Sequence, residues 1–169
     1  HLLIIGELGT GKNLASKTVC DLLILAKQLS SRSAEIPEAG KIKRKHAYEI
    51  VLSKWTDPDE EKNEILEEML TVGSIAIIMG TEREVKPLQG LLEVFKKQAP
   101  WSVMLPTIST RDLAAITFKL VQKHGYVLRR GRLGEMNLET MEFIVRQTHD
   151  AALIRERNAY LAKDMLERA

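Results

Sequence analysis

The feature that most constrains this chain is its opening, HLLIIGELGTGKN, where a short apolar run meets a glycine-rich loop that closes on a lysine. Leu2–Ile5 are apolar at every position rather than at alternate ones, the pattern of a parallel strand buried on both faces. From Asn13 to Ser30 apolar residues recur at helical spacing: Leu14, Val19, Leu22, Leu23, Leu25, Ala26 and Leu29. Between them, Gly6 to Lys12 has the G-x-x-x-x-G-K spacing of a phosphate-binding loop, in the strand–loop–helix context that such a loop requires. Backbone N–H groups from Gly6, Gly9, Thr10 and Gly11 can wrap phosphate oxygens at the helix N-terminus, and Lys12 adds a point charge. The next residue should be Ser or Thr, whose hydroxyl holds magnesium; here it is Asn13, an amide. The bland alternative is a glycine-rich turn with no ligand.

Residues 31–47 are polar, with Pro37, Gly40 and the basic run KIKRKH (41–46), and predict an exposed loop. YEIVLSKW (48–55) reads either as a strand or as a turn of helix. An acidic helix is predicted over 57–72, with Thr56 or Asp57 as N-cap and Pro58 in its first turn. SIAIIMG (74–80) is a second buried strand. Residues 82–98 predict a helix interrupted near Pro87 and Gly90, and SVML (102–105) a short strand ended by Pro106. Beyond it the pattern is purely helical. Ser109 caps a helix from Thr110 to about His124, with Leu113, Ile116, Leu120 and Val121 on one face, ended by Gly125. Asn137 starts a second helix, and 150–168 reads as a third. The expected organisation is an α/β parallel-sheet domain over 1–108 followed by a small all-helical subdomain over 109–169.

Composition excludes little beyond the extremes. A formal net charge of +2 sets up no strong global field toward nucleic acid or membrane. One cysteine, Cys20, forms no internal disulfide and points to a reducing compartment, cytoplasmic or nuclear. No apolar run approaches the ~18 residues of a membrane span. KIKRKH and RRGR (129–132) read as solvated loops, with a nuclear-localisation or nucleic-acid patch as the alternative. His46, His124 and His149 show no metal spacing. Cys20 reads as a small core residue, and Trp55 and Trp101 as packing groups or partner contacts. Because the chain starts inside a core strand, it reads as a piece of a larger polypeptide.

Four stretches together resemble the AAA+ ATPases of the CbxX/CfqX group. HLLIIGELGTGK resembles the opening strand and Walker A motif, SIAIIMGTEREV the sensor-1 strand, STRDLAAITFKLVQKHGYVL the first lid helix, and RNAYLAKDMLERA the sensor-2 helix. They lie along the chain from its first residues to its last, in the family's order. The resemblance implies a reduced AAA+ P-loop sheet core with a helical lid, ATP or ADP with magnesium as cofactors, Thr81 as the sensor-1 hydroxyl, and other AAA+ domains or a protein client as partners.

The departures bear on activity. Leu8 replaces a proline and Asn13 a threonine. The one candidate Walker B strand, YEIVLSKW, is followed by Ser53 and Lys54 where the family has Asp-Glu. The arginine-finger position falls on Gln98 and the sensor-2 arginine on Tyr160. The space between Walker A and Walker B is too short for the family's full strand and helix. A missing finger alone costs on the order of 10³–10⁵ in rate. The expectation is therefore a degenerate module with a relic or binding-only ATP site and no catalytic residues, acting as an assembly or protein-interaction domain. The alternative is an active remodelling ATPase completed by a partner subunit or by a segment missing between about 31 and 62. Nucleic-acid binding through the basic loops is a third, weaker reading.

Overall fold

The structure, a computed structural model, describes residues 1–55, 60–91, 94, 97, 100–125 and 137–167. The N-caps expected at Thr56 or Asp57, the finger position Gln98, and RRGR (129–132) lie outside the described residues. Along the chain come β1 (Leu2–Ile5), α1 (Lys12–Leu25), β2 (Ser31–Ser33), β3 (His46–Val51), a 3-10 turn (Leu52–Lys54), α2 (Glu60–Thr71), β4 (Ile75–Gly80), α3 (Glu82–Leu91) and β5 (Trp101–Met104). Helices α4 (Thr110–Lys123), α5 (Leu138–Thr148), α6 (Ala151–Arg157) and α7 (Ala159–Glu167) follow.

The five strands form one parallel sheet in the order β2-β3-β4-β1-β5. Register brings the C-terminal ends of the central strands level: Ile5 pairs with Gly80 and with Met104, and Val51 with Met79. The unbroken apolar runs of β1 and β4 follow from burial on both faces. Leu3, Ile5, Ala76 and Ile78 share one face with Ile65, Leu66 and Met69 of α2 and Val85 of α3. Ile4, Ala47, Ile77 and Met79 share the other with Cys20 of α1. Each fully buried Leu or Ile contributes about 1.5–3 kcal/mol.

The chain divides into two units, one of residues 1–6 and 11–105, the other of residues 7–10 and 106–169. In the second, Leu113 and Ala114 of α4 pack with Met141 and Val145 of α5, Ile154 of α6 and Leu161 of α7. Ser109 caps α4 through a reciprocal box with Asp112, as expected at that residue.

Several expectations are corrected. Residues 31–47 are not all loop: Ser31–Ser33 pairs with His46–Tyr48 as an edge strand. YEIVLSKW resolves into strand to Val51, then a 3-10 turn. Helix α1 buries Ser16 and Cys20, while Leu14, Leu22 and Leu25 are exposed. Small side chains four apart let the helix approach the sheet closely, and that contact sets the buried face. Helix α3 runs through Pro87; the missing N–H removes one backbone bond, and burial of Val85 and Leu88 holds the turn. The expected single helix over 150–168 is broken at Asn158, whose φ is 46° and ψ −134°. Trp55 is buried, whereas Trp101 is 83% exposed on β5.

Candidate phosphate-binding site

The glycine loop leaves β1 at the C-terminal end of the sheet, where open α/β sheets take their ligands. Gly6 N–H donates to Gly80 O at 3.0 Å, carrying the β1–β4 ladder one residue into the loop. Thr10 N–H and Oγ1 both donate to Glu7 O, at 3.3 and 2.8 Å, and close a tight turn. Gly9 has φ +76°, and a Cβ there would lie 2.8 Å from Arg157 O, so no other residue fits without a shift. Lys12 Nζ donates to Gly6 O at 2.7 Å, across the base of the loop.

Gly11 is the N-cap of α1, with φ 89° and no side chain accepting from the first turn. By contrast α4, α5 and α6 are capped by Ser109, Asn137 and Asp150. The first N–H groups of a helix lack intrahelical acceptors. At α1 no side chain of the N-cap residue takes them, and the helix dipole favours an anion there. Asn13, in that first turn, is exposed.

The expected site residues fall as follows. Gly6, Gly11, Lys12 and Asn13 belong to the first unit, and Gly9 and Thr10 to the second. Thr81 follows Gly80 directly, so it stands at the strand end beside Gly6. Its hydroxyl donates to Glu84 Oε2 at 2.9 Å and its N–H to the same oxygen at 2.7 Å, while Glu84 N–H approaches Thr81 Oγ1 at 3.4 Å. This is a capping box that starts α3, and it engages the hydroxyl expected at sensor 1.

Two groups that sequence reasoning passed over stand out. The first is Asn158, fully buried. Its Oδ1 accepts from Ile108 N–H at 2.9 Å, and its Nδ2 donates to Leu8 O at 2.8 Å and Arg155 O at 2.6 Å. Ala159 N–H adds a bond to Gly9 O at 3.3 Å, so the corner between α6 and α7 holds two successive loop carbonyls. Tyr160, at the expected sensor-2 position, has a ring carbon 3.1 Å from where a Gly9 Cβ would stand.

The second is Glu49. The strand expected to be Walker B, β3, ends at Val51 without a terminal carboxylate; its acid is Glu49, two residues earlier. Ser16 Oγ donates to Glu49 Oε1 at 2.5 Å, and Arg32 Nη1 lies 3.9 Å from the same oxygen. A carboxylate within an apolar strand was the available signal, because burying a charge requires a partner.

The remaining candidates separate. In KIKRKH, Ile42 packs against the core, Lys41 pairs with Glu38 at 2.5 Å, and His46 is buried, so the run is not one uniform basic surface. Burial, then the charge of Lys43, pushes the His46 pKa down. Burial, then Glu49, pushes the Cys20 thiol up. Among the described residues no three His, Cys, Asp or Glu side chains group to hold a metal, and no helix is long and apolar enough to cross a membrane.

Among solved structures, a point mutant of RuvB from Thermogota maritima superposes with a TM-score of 0.58 and 15% identity, over 99% of this chain. This chain spans 56% of the length of that one. At that identity the likeness concerns the fold alone: an α/β parallel sheet with an accompanying helical unit, as in that structure. No family model matches the sequence, and no curated protein does.

Proposed function

We propose that this chain is a degenerate AAA+ module of the CbxX/CfqX type, which binds a nucleotide phosphate without hydrolysing it and serves as an assembly or protein-interaction domain. Residues 1–108 are its nucleotide-binding core and 109–169 its lid subdomain. The carrying observation is the uncapped start of α1, with Lys12 drawn to Gly6 O, at the C-terminal end of a parallel sheet. Phosphate oxygens of ATP or ADP would take the N–H groups at the start of α1, those of Gly11, Lys12 and Asn13, and Lys12 Nζ would exchange its carbonyl for them.

The residues present fit a phosphate better than they fit magnesium. Asn13 offers an amide oxygen where the motif has a hydroxyl, and β3 ends at Val51 and passes into Leu52-Ser53 where a carboxylate would organise the ion. Thr81 is held by Glu84. Partners are other AAA+ domains or a client protein, in a reducing compartment, cytoplasmic or nuclear. Titration with a fluorescent ATP analogue, with and without magnesium, tests this reading. Micromolar binding that Lys12→Ala removes supports it. Absence of binding means a relic turn, and ATP hydrolysis dependent on Lys12 would establish the active ATPase instead.

A further inference from the structure

A cavity of about 300 Å³ opens beside the C-terminal ends of β3 and β4, within the first unit. Asn13 and Lys17, one helical turn apart on α1, line it together with Arg32 from β2, Glu49 from β3, Met79 from β4 and Lys54 from the 3-10 turn. Three cationic residues therefore line a space whose one lining carboxylate among the described residues is Glu49, and Glu49 is already held by Ser16. The Arg32 guanidinium stands 3.9 Å from Glu49 and 4.0 Å from Asp21, beyond hydrogen-bond distance of both. Among the described residues Lys17 and Lys54 have no ion-pair partner. A planar guanidinium lining the same space as two lysines is matched to an oxyanion of tetrahedral geometry.

We propose that this cavity is a second anion site, adjoining the glycine-loop site at Asn13, that takes a phosphate monoester. Lys17, Arg32 and Lys54 outnumber the two carboxylates nearby, Glu49 and Asp21, which favours an anion and disfavours a divalent cation. The volume admits a phosphate with a small substituent and excludes a nucleic-acid duplex. Met79 and the neighbouring apolar wall would receive the substituent. This assignment does not depend on whether the loop binds nucleotide.

The test uses the whole chain and inorganic phosphate as probe, with ionic strength held by chloride, followed by amide shifts in ¹H–¹⁵N spectra. Saturable shifts at Ala34 and Lys54 are expected, unchanged in Lys12→Ala. Arg32→Gln and Lys54→Gln should each weaken binding about tenfold or more, as loss of a charge-assisted contact implies. Lys17→Gln and Lys54→Gln alter exposed side chains, so the test does not hinge on the edge strand of Arg32 folding. Shifts confined to residues 9–14 and abolished by Lys12→Ala would overturn the proposal. So would shifts that fail to saturate, equal those caused by chloride, or persist undiminished in the Lys54 and Arg32 variants.

Discussion

Ser16 Oγ donates to Glu49 Oε1 at 2.5 Å, joining the first turns of α1 to the strand beside β4. Ser16 is fully buried and the Glu49 side chain is 16% exposed, so the bond is poorly replaced by water. It fixes where α1 sits on the sheet, and with it the turn that carries Lys12. Ser16→Ala should destabilise the chain by about 1–3 kcal/mol, since it removes a charge-assisted bond. Glu49→Gln keeps an acceptor for Ser16 and should cost less. Urea melts of both variants check the order; equal losses would mean that the charge, rather than the hydrogen bond, matters.

Asn158 combines three side-chain hydrogen bonds with a backbone conformation suited to glycine. Asn158→Ala loses the bonds and keeps the strain, and should cost about 2–4 kcal/mol. Asn158→Gly loses the same bonds but relaxes the backbone, and should recover roughly 1 kcal/mol of that. Comparing the two by denaturant unfolding separates strain from bonding.

The Thr81–Glu84 box predicts that Thr81→Val costs about 1 kcal/mol through loss of the α3 cap. Glu84→Ala should cost a similar amount, and the double variant little more than either single one. Additive losses in the double variant would show that the two side chains act separately.

His46 is buried and its pKa lies below the ordinary histidine value of 6.5, through desolvation first and Lys43 second. The unfolded chain therefore binds the proton more readily. Stability from this group is fully present above pH 6.5 and is lost as pH falls through the lowered folded value. Urea midpoints should drop between pH 7.5 and 5 in the native chain, and drop less in His46→Gln. An identical decline in both would place the acid sensitivity elsewhere.

The two tryptophans differ in exposure, Trp55 at 8% and Trp101 at 83%. Acrylamide should quench emission in two populations. Trp101→Phe should remove the accessible one and change stability by no more than about 0.5 kcal/mol. Trp55→Phe should remove the protected one.

What the sequence by itself determined was whatever depends on neighbours along the chain. LLII and IAIIMG are strands because full burial in a parallel sheet demands unbroken apolar runs. The loop from Gly6 to Lys12 is legible from spacing, and Ser109 marks a helix start because its hydroxyl and Asp112 are three residues apart. The tertiary structure decided what depends on distant residues. Which face of α1 is buried follows from Ser16 meeting Glu49, 33 positions away. Whether 48–55 is a strand follows from its pairing with β4. The break at Asn158 serves a carbonyl 150 positions away in the loop. Helical and strand periodicity report a segment's own geometry; a hydrogen bond across the fold leaves only a polar residue among apolar ones, as at Ser16, Glu49 and Asn158.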